Sequence, residues 1–467
     1  MSANRNLASR RDFLRLSALG AAGVVAAACA APAAAPAAEE SAEEEMPASA
    51  EPVEIRLSHW WGDQHKKWLP IVEAKSGTVF KEEIYPFGEY VTKVLTQVAG
   101  GVAPDIIQLG GPMYPDFFPR GIFVPFNDVL AESGIDMSKW YADPVVEHGY
   151  KGDIMGLSLF TQQAMMVYLN LDLVRNAGYA EADLPLWGGS NFDQWSWDDF
   201  VDFMKAVTIR SSDGSVEQYG YQSAETSINA YGYQLATYDT WFIDDTEYEE
   251  TQCLLDTPEA ISAVHDYVDL TVVHGVAPTL EAQQGIEGGL FRAGLAAASV
   301  SWSNQTYLAA QLPFELGFMH LPWVERRVHG VNANLWCINK ESAVIPKAQE
   351  ASIVQTTDYE VGQALVDLAA TLSAYDPAYY LDSLPEGDLG IIVQVMLSRL
   401  AGMSECDYCT EDVNIFKRAA FGRVGRFMQD KFRSGVELAF VGEKTVEEAM
   451  QEAKAAIDQE IEASASA

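Results

Sequence analysis

The side chains best suited to chemistry at the start of this sequence are aromatic. The stretch "SHWWG" places Trp60 and Trp61 directly after the strand-like run "VEIRLSH". Adjacent side chains on a strand point to opposite faces, so a single core cannot easily take both rings. We therefore expect one indole to pack in the interior and the other to lie elsewhere. A flat ring outside a core can stack on the apolar face of another molecule.

Catalytic patterns do not accompany these aromatic residues. The sequence contains no GxSxG elbow, no Walker phosphate loop and no zinc-type histidine pair. It has 67 acidic residues, so chance carboxylate pairs are plentiful, but none lies in a strand-end motif that marks catalysis. We therefore predict a protein that is not an enzyme and that has no metal site and no cofactor.

Two of the five cysteines are close in sequence. The stretch "ECDYCTED" places Cys406 and Cys409 within one short loop, where an exported protein can form a disulfide. The surrounding acids raise thiol pKa values and weaken a redox interpretation. A zinc site would need two more ligands at similar spacing, and no other Cys or His pair supplies them. We expect a structural Cys406–Cys409 bridge, with free thiols as the alternative.

The N-terminus has the pattern of an export signal. Two adjacent arginines precede a short apolar run that ends at Cys29, and the run is too short to span a membrane. "SRRDFL" resembles a twin-arginine signal, and "AAAC" resembles a lipobox, whose cysteine is acylated. We expect a signal peptide over 1–28, a lipid on Cys29 and a disordered tether over 29–51, since that segment has little to bury. A general secretory signal and an unmodified thiol are the alternatives.

The length and net charge of the chain indicate how many domains it has and which partners are excluded. After the tether, a chain of this length exceeds what one hydrophobic core usually serves, so two domains are expected. The formal net charge of -37 repels nucleic acid and anionic lipid, which argues against both as partners. We therefore expect an extracytoplasmic protein that is held at the cell membrane only through its N-terminal lipid.

Strands alternate with helices along the chain, the pattern of α/β layers. "VEIRLSHW", "TVFKEEIYP" and "APDIIQLGG" have strand character, whereas "GEYVTKVLTQVAGG" has helical spacing and stops at a glycine pair. "WSWDDFVDFMKAVT" predicts an amphipathic helix with Ser196 as its N-cap, and "KTVEEAMQEAKAAIDQEI" predicts a closing helix capped by Thr445.

The order of these segments resembles the family 1 extracellular solute-binding proteins of ABC importers, the group that includes maltose-binding protein. The resemblance runs from about Val53 to Ile461. It is carried by "APDIIQLGG", "GLSLFTQQAMMVYLNLDLVRNAGY", "WSWDDF", "FRAGLAAASVSWSNQ", "FELGFMHLPW" as the second hinge crossing, and "TVEEAMQEAKAAI". After "INKES" and over 376–412 the sequence departs from the family pattern.

The resemblance implies an α/β fold of the type II periplasmic-binding-protein kind. Each of two lobes is a sheet flanked by helices, hinge strands join the lobes, and a ligand is held between them. The implied N-terminal lobe comprises 52–162 and 323–375, and the C-terminal lobe comprises 163–322 and 376–467. The implied function is that of a monomer that captures a neutral sugar or oligosaccharide and delivers it to an ABC permease.

The resemblance also suggests which side chains contact the ligand. One of Trp60 and Trp61 is expected to reach the cleft, and Gln163 lies where maltose-binding members have a hydroxyl-binding acid. Leu109 stands near the place of a family tryptophan, which puts maltose itself in doubt. The complete expected set is Trp60, Trp61, Gln108, Tyr114, Gln163, Tyr233, Trp241, Trp302 and Asn332. Aromatic walls and amide groups suit a sugar, which offers an apolar C–H face and a rim of hydroxyls.

Two other functions remain open from the sequence alone. A binding protein for a charged small molecule such as a polyamine would need carboxylates at the cleft rather than aromatic and amide groups. A secreted carbohydrate-active enzyme would need two carboxyl groups placed across a sugar bond. Each of the aromatic residues named above could instead belong to a core.

Overall fold

The computed structural model describes residues 51–140, 149–158, 163–186, 195–244, 249–286, 288–302, 312–326, 331–332, 334–369, 373–376, 379–380 and 423–465. Its strands, in chain order, are β1 (Val53–His59), β2 (Thr78–Ile84), β3 (Ile106–Gly110), β4 (Phe123–Val124), β5 (Gly149–Tyr150), β6 (Asp153–Ile154), β7 (Leu157–Ser158), β8 (Gln163–Asn170), β9 (Ile209–Arg210), β10 (Val216–Tyr221), β11 (Ala296–Trp302), β12 (Leu316–Met319), β13 (Val331–Asn332) and β14 (Asn334–Asn339).

Helices separate most of these strands. They are α1 (Leu69–Ser76), α2 (Phe87–Ala99), α3 (Tyr114–Phe117), α4 (Asn127–Ser133), α5 (Leu171–Asn176), α6 (Trp197–Val207), α7 (Ile228–Thr237), α8 (Pro258–Val272), α9 (Gly289–Arg292), α10 (Ile345–Thr357), α11 (Tyr359–Ala369), α12 (Gly425–Phe440) and α13 (Val446–Ala465). Short 3-10 turns occur at Gly62–Lys67, Gly111–Met113, Phe118–Arg120, Met137–Lys139 and Glu181–Asp183.

The strands form two main sheets, and each sheet is the centre of one lobe. The first sheet has the order β2-β1-β3-β14-β4, with β7 beside β14; β1 is parallel to β2 and β3, and β14 is antiparallel to its neighbours. The second sheet has the order β12-β8-β11-β10-β9, with β13 beside β8. A separate hairpin joins β5 to β6. The predicted two-lobe α/β fold is therefore confirmed.

The chain changes sheet at two places. It leaves the first sheet after β7 and enters the second at β8, and it returns between β13, which pairs with β8, and β14, which pairs with β3. The return lies between Asn332 and Asn334, later than the sequence placed it. The segment "FELGFMHLPW", predicted as the second hinge crossing, instead supplies β12 at the edge of the second sheet.

Local sequence signals explain where the helices begin and end. Ser196 caps α6: its hydroxyl accepts the N–H of Asp199 at 3.1 Å, and the Asp199 carboxylate accepts the N–H of Ser196 at 3.2 Å. Thr445 likewise accepts the N–H of Glu448 at 3.2 Å before α13. Both predicted caps are confirmed. Helix α1 ends at Gly77, whose φ of 64° is the left-handed conformation that glycine adopts without strain.

Each lobe has its own hydrophobic core. In the first lobe β3 and β14 are buried along their whole length, and indoles such as Trp68 and Trp336 pack beside them. The core of the second lobe includes residues of β8, α6, α12 and α13 together with several buried tyrosines. Gly220 on β10 allows α6 to approach, because a Cβ at this position would lie 2.3 Å from the carbonyl oxygen of Met204.

Candidate functional site

A cavity of about 630 Å³ lies between the two lobes, a volume in the range of small-ligand sites. The first lobe contributes Phe87, the first residue of α2, and the second lobe contributes the loop between β10 and α7, the start of α9, and α12. The polar side chains of its lining include those of Gln222, Ser223, Ser227, Asn229, Gln283, Gln429 and Arg433. Since β10 ends at Tyr221, the loop lies at the carboxyl end of a strand, where open α/β sheets bind ligands.

A buried carboxylate holds the second-lobe loop in place. Glu225 is 8% exposed, and it accepts the hydroxyl of Tyr221 at 3.0 Å and the N–H of Ser227 at 2.7 Å. Burial raises the pKa of Glu225, although these hydrogen bonds act in the opposite direction. Gln283 accepts the N–H of Ala224 at 3.0 Å and holds the other side of the loop. The loop is therefore fixed from two directions.

The loop also presents polar groups to the cavity. The side-chain oxygen of Asn229 is buried without a hydrogen-bond partner. Such an acceptor costs about 1–3 kcal/mol when it is left unpaired, so a bound hydroxyl or water that donates to it would be stabilised. The side chain of Ser227, at the N-cap position of α7, makes no capping hydrogen bond.

The first-lobe wall is aromatic. Phe87 is 58% exposed, and its ring meets Trp60 edge-on with 5.6 Å between ring centroids. Trp60 in turn meets Tyr90 at 4.9 Å, and the Tyr90 hydroxyl donates to the carbonyl oxygen of Ser58 at 3.0 Å. Trp60, Phe87 and Tyr90 form a group that we name the aromatic platform. It places one largely exposed ring at the cavity.

The adjacent tryptophans have different surroundings. Trp61 is 8% exposed and packs in the first-lobe core, with its ring 6.1 Å from that of Trp68. Trp60 is only partly buried and lies between two core clusters beside Phe87. Both residues lie beyond the end of β1 at His59, and Trp61 directly precedes the 3-10 turn Gly62–Lys67, so their different surroundings come from this turn and not from the strand alternation that the sequence suggested.

Several residues that the sequence selected as ligand contacts are buried in the described structure. Gln108 is 0% exposed, and Tyr114 stacks on Phe118 at 4.8 Å. Tyr233 is 2% exposed and donates to the carbonyl oxygen of Leu321 at 3.2 Å. This burial favours packing roles in the walls of the lobes, and direct ligand contact by these three residues stays a prediction.

Other selected residues lie near the change of sheet or outside the cavity lining. Trp241 is half-buried and packs on Phe242. Gln163 begins β8 and pairs in register with Asn332 of β13, and Trp302 ends β11 opposite Met165 of β8. These pairings bring the backbones of all three residues to neighbouring strands. The side chains of Gln163, Trp302 and Asn332 lie outside the described part of the structure.

Two of the five cysteines lie within the described residues, and the other three lie outside them. Cys29, Cys406 and Cys409 lie outside the described residues, as do the predicted signal peptide and nearly all of the tether. Cys253 and Cys337 are buried free thiols. Burial raises the pKa of Cys253 to about 12 and also raises the pKa of Cys337, which makes both poor nucleophiles.

Sequence reasoning selected none of the residues that line this cavity. Phe87 follows β2 directly after "YP", and the polar stretch "QSAETS" follows β10. Both segments come just after strands, so the rule that ligands bind at strand ends could have selected them. Gln429 and Arg433 lie on α12, far along the chain from the strand-end loops, and no local pattern marks them.

Two α/β lobes with a ligand-sized cavity between them define a two-lobed solute-binding protein. The chain belongs to the bacterial extracellular solute-binding protein family, whose model matches residues 71–352. Among curated proteins, no sequence matches this chain. Among the described residues, no helix is both long enough and apolar enough to cross a membrane.

Solved structures share the fold over nearly their whole length. An ABC substrate-binding protein from Listeria monocytogenes in complex with cycloalternan is 18% identical, with a TM-score of 0.73 over 88% of this chain and 99% of that chain. The maltose/maltodextrin-binding domain from Bdellovibrio bacteriovorus bound to maltotriose is 14% identical, with a TM-score of 0.66 over 88% and 100%. A solute-binding protein from Agrobacterium radiobacter in complex with ribitol is 18% identical, with a TM-score of 0.66 over 87% and 98%. At these identities the likeness concerns the fold.

Proposed function

We propose that the protein is the extracytoplasmic binding component of an ABC importer, and that it captures a neutral sugar or oligosaccharide between its lobes for delivery to a membrane permease. The family supports an extracytoplasmic solute-binding role. The structural relatives named above were solved with cyclic, linear and reduced carbohydrate ligands, which supports the ligand class.

One observation carries the ligand proposal: a largely exposed aromatic ring faces a polar loop across the cavity. A sugar ring presents apolar C–H groups on its faces and hydroxyls around its rim, so it needs one flat wall and one hydrogen-bonding wall. Phe87 provides the flat surface, and Gln222, Asn229 and Gln283 provide donors and acceptors. The division of the cavity between the two lobes matches the two chemical sides of a sugar.

The charges of the lining favour a neutral ligand over a polyamine. Arg433 places a cation at the cavity, which would repel an ammonium group. Glu225 is the acid among the described residues of this lining, and its carboxylate already accepts hydrogen bonds from Tyr221 and Ser227. A glycosidase would need a second carboxyl group across the scissile bond, which the described lining of this cavity does not supply.

Calorimetric titration of the purified protein with neutral oligosaccharides tests the proposal, with spermidine as the competing ligand class. Phe87→Ala should weaken sugar binding by roughly 1–3 kcal/mol, or about 5- to 150-fold, because it removes the flat wall. Phe87→Leu keeps apolar volume without a ring and should recover only part of the loss. The control is Val273→Ala, which truncates a side chain 65% exposed and outside the cavity lining. Binding of spermidine but of no sugar would reverse the assignment of ligand class.

We further propose that Trp60 belongs to the binding surface through the aromatic platform, and that Gln163, Trp302 and Asn332 reach the ligand from neighbouring strands. The register pairs that bring these backbones together support this grouping. Trp302→Ala should weaken sugar binding while the melting temperature stays near that of the parent. A large fall in melting temperature with unchanged affinity would place this indole in a core.

We also propose that residues 1–28 direct export and that Cys29 carries the lipid that holds the protein at the membrane. The twin-arginine-like "SRRDFL" and the lipobox-like "AAAC" support this reading. Cys29→Ala should move the protein from the membrane fraction to the soluble extracytoplasmic fraction. Cys253→Ala is the matched control, since Cys253 is a buried free thiol. Retention of the Cys29 variant at the membrane would exclude lipid anchoring at this residue.

A further inference from the structure

Two histidines and a glutamate converge at the end of β1 in the first lobe. His59 is the last residue of β1, and the 3-10 turn Gly62–Lys67 carries His65 back over it, so that the two ring centroids are 3.9 Å apart. Glu82 of β2 lies beside them, with its carboxylate 2.9 Å from Nε2 of His59. One side-chain atom from each of the three residues lies within 4.8 Å of the other two.

Strand pairing places two members of this group on one face. β1 and β2 are parallel, and Leu57 pairs in register with Glu82. Side chains two residues apart on a strand share a face, so His59 points to the same side as Leu57 and Glu82. The main-chain ladder therefore fixes the spacing of His59 and Glu82 before any ligand is present.

The polar atoms at the centre of the group lack well-formed hydrogen bonds. His65 and Gln108 are both 0% exposed and interact with each other, but no ring nitrogen of His65 and no amide atom of Gln108 makes a hydrogen bond of normal geometry. The indoles of Trp61 and Trp68 lie against His65, at 6.0 and 5.1 Å between ring centroids. Burial, and next the nearby His59, hold the pKa of His65 well below its usual range, although the Gln108 side chain acts in the opposite direction; the ring is therefore neutral and offers a lone pair. Native proteins rarely leave such groups unpaired without a structural or ligand-binding reason.

We propose that His59, His65 and Glu82 bind a divalent transition-metal ion, with Zn²⁺ as the ion that fits best. Two imidazoles and one carboxylate are a known donor set for zinc with one position left open. Tetrahedral ligands about 2.0–2.1 Å from zinc are about 3.3 Å apart. The 2.9 Å between His59 and Glu82 needs to widen only slightly to admit the ion. Gln108 is placed to serve as the fourth ligand or to bind a metal-bound water.

Metal binding rearranges one proton. Nδ1 of His59 accepts the N–H of Trp61 at 3.2 Å, so Nε2 carries the proton that it donates to Glu82. When the metal binds Nε2, that proton leaves to solvent and Nδ1 takes one up, so the imidazole stays neutral. The Trp61 N–H then loses Nδ1 of His59 as an acceptor, so metal binding alters a hydrogen bond next to Trp60 of the aromatic platform. The site does not depend on the identity of the ligand in the cavity.

Titration of the chelator-treated, dialysed protein with Co²⁺ and Zn²⁺ tests the proposal. We expect one Co²⁺ per chain with the visible absorption of a tetrahedral complex, displacement of the cobalt by Zn²⁺, a change in tryptophan fluorescence and a higher melting temperature. Glu82→Gln keeps the shape of a partly exposed side chain and should weaken Zn²⁺ binding by at least about 100-fold, since loss of an outer partner alone costs about 10- to 100-fold. His65→Ala should have the same effect.

His265, a partly exposed histidine of the second lobe, provides the control. His265 lies near Asp269 and Glu447, with its ring nitrogens 3.4 and 3.3 Å from the two carboxylates. His265→Ala should leave the cobalt spectrum and the Zn²⁺ affinity unchanged. Loss of binding in His265→Ala, binding equal to the parent in Glu82→Gln, or no saturable binding in the parent would each overturn the site. A folded parent that binds sugar but no metal would leave the proposed function intact.

Discussion

The two walls of the cavity differ in what lies behind them. Behind the aromatic wall of the first lobe, the buried rings of His59 and His65 pack among indoles. In the second lobe the carboxylate of Glu225, at the polar wall, accepts the hydroxyl of Tyr221, and that of Asp266 accepts hydrogen bonds from Gln234 and Tyr238. Burial disfavours the charged form of every ionisable group, so it lowers the pKa of the histidines and raises the pKa of the acids.

This difference shows that one physical cause gives the buried histidines and the buried acids opposite responses to pH. A buried base makes the folded lobe bind fewer protons than the unfolded chain, whereas a buried acid makes it bind more. The acidic composition of the whole chain gives no sign of the first effect, because it depends on which few side chains are desolvated.

Among substitutions that distinguish the two walls, that of Trp61 should cause the largest loss of stability. Trp61→Ala should lower the free energy of unfolding by about 3–5 kcal/mol, because it opens a cavity in the first-lobe core. Trp60→Ala removes a partly buried ring and should cost less stability but more sugar affinity. Urea unfolding and calorimetric titration of both variants measure the two quantities. Equal losses of stability would mean that both rings serve the core.

Asp266 should give the next largest effect, in the second lobe. Burial raises its pKa to about 7, while hydrogen bonds from Gln234 and Tyr238 act in the opposite direction. The folded state therefore keeps a proton that the unfolded chain loses from about pH 4 upward. The protonated carboxyl group of Asp266 stabilises the folded state at low pH. This contribution to the free energy of unfolding, about 2–4 kcal/mol, is lost as pH rises to about 7. Asp266→Asn should remove this fall, as measured by melting temperature against pH, and an unchanged slope would mean that Asp266 is ionised in the folded state.

In the first lobe, His59 should change the pH dependence of stability slightly less than Asp266 does, and in the opposite direction. Burial lowers its pKa to about 4, from an ordinary value of 6.5. In this pH range the unfolded chain binds a proton at His59 that the folded state does not bind. The free energy of unfolding therefore falls by about 2–3 kcal/mol as pH falls from about 6.5 to about 4. His59→Gln should flatten this part of the curve when it is measured with a chelator present. A double variant with Asp266→Asn should show neither slope, and any slope that remains belongs to other groups.

The sequence was a good guide to the elements and a poor one to the site. Ser196 and Thr445 could be recognised as caps because capping is decided within four residues. The alternation of strands and helices likewise predicted the α/β layers. The burial of Tyr114 and Tyr233 could not be read from the sequence, because an aromatic residue suits a core and a binding surface equally well.

The convergence of His59 with His65 escaped sequence reasoning for a different reason. Their spacing matches no helical or strand metal pattern, and they meet only because the 3-10 turn Gly62–Lys67 reverses the chain above the end of β1. Glu82 joins them through strand pairing that spans a whole helix in sequence. Contacts of this kind depend on tertiary structure, so no local window contains them.

The pairing of β8 with β13 has a mechanical consequence. These two strands of the second sheet lie next to the places where the chain changes sheet, and they pair in register through Gln163 with Asn332 and Ala164 with Val331. Two strands joined in this way act as a ribbon, which bends easily across its flat face but resists shear along its length, because sliding would break the ladder. The outgoing and returning chain therefore meet the second lobe side by side, at a spacing that the ladder sets.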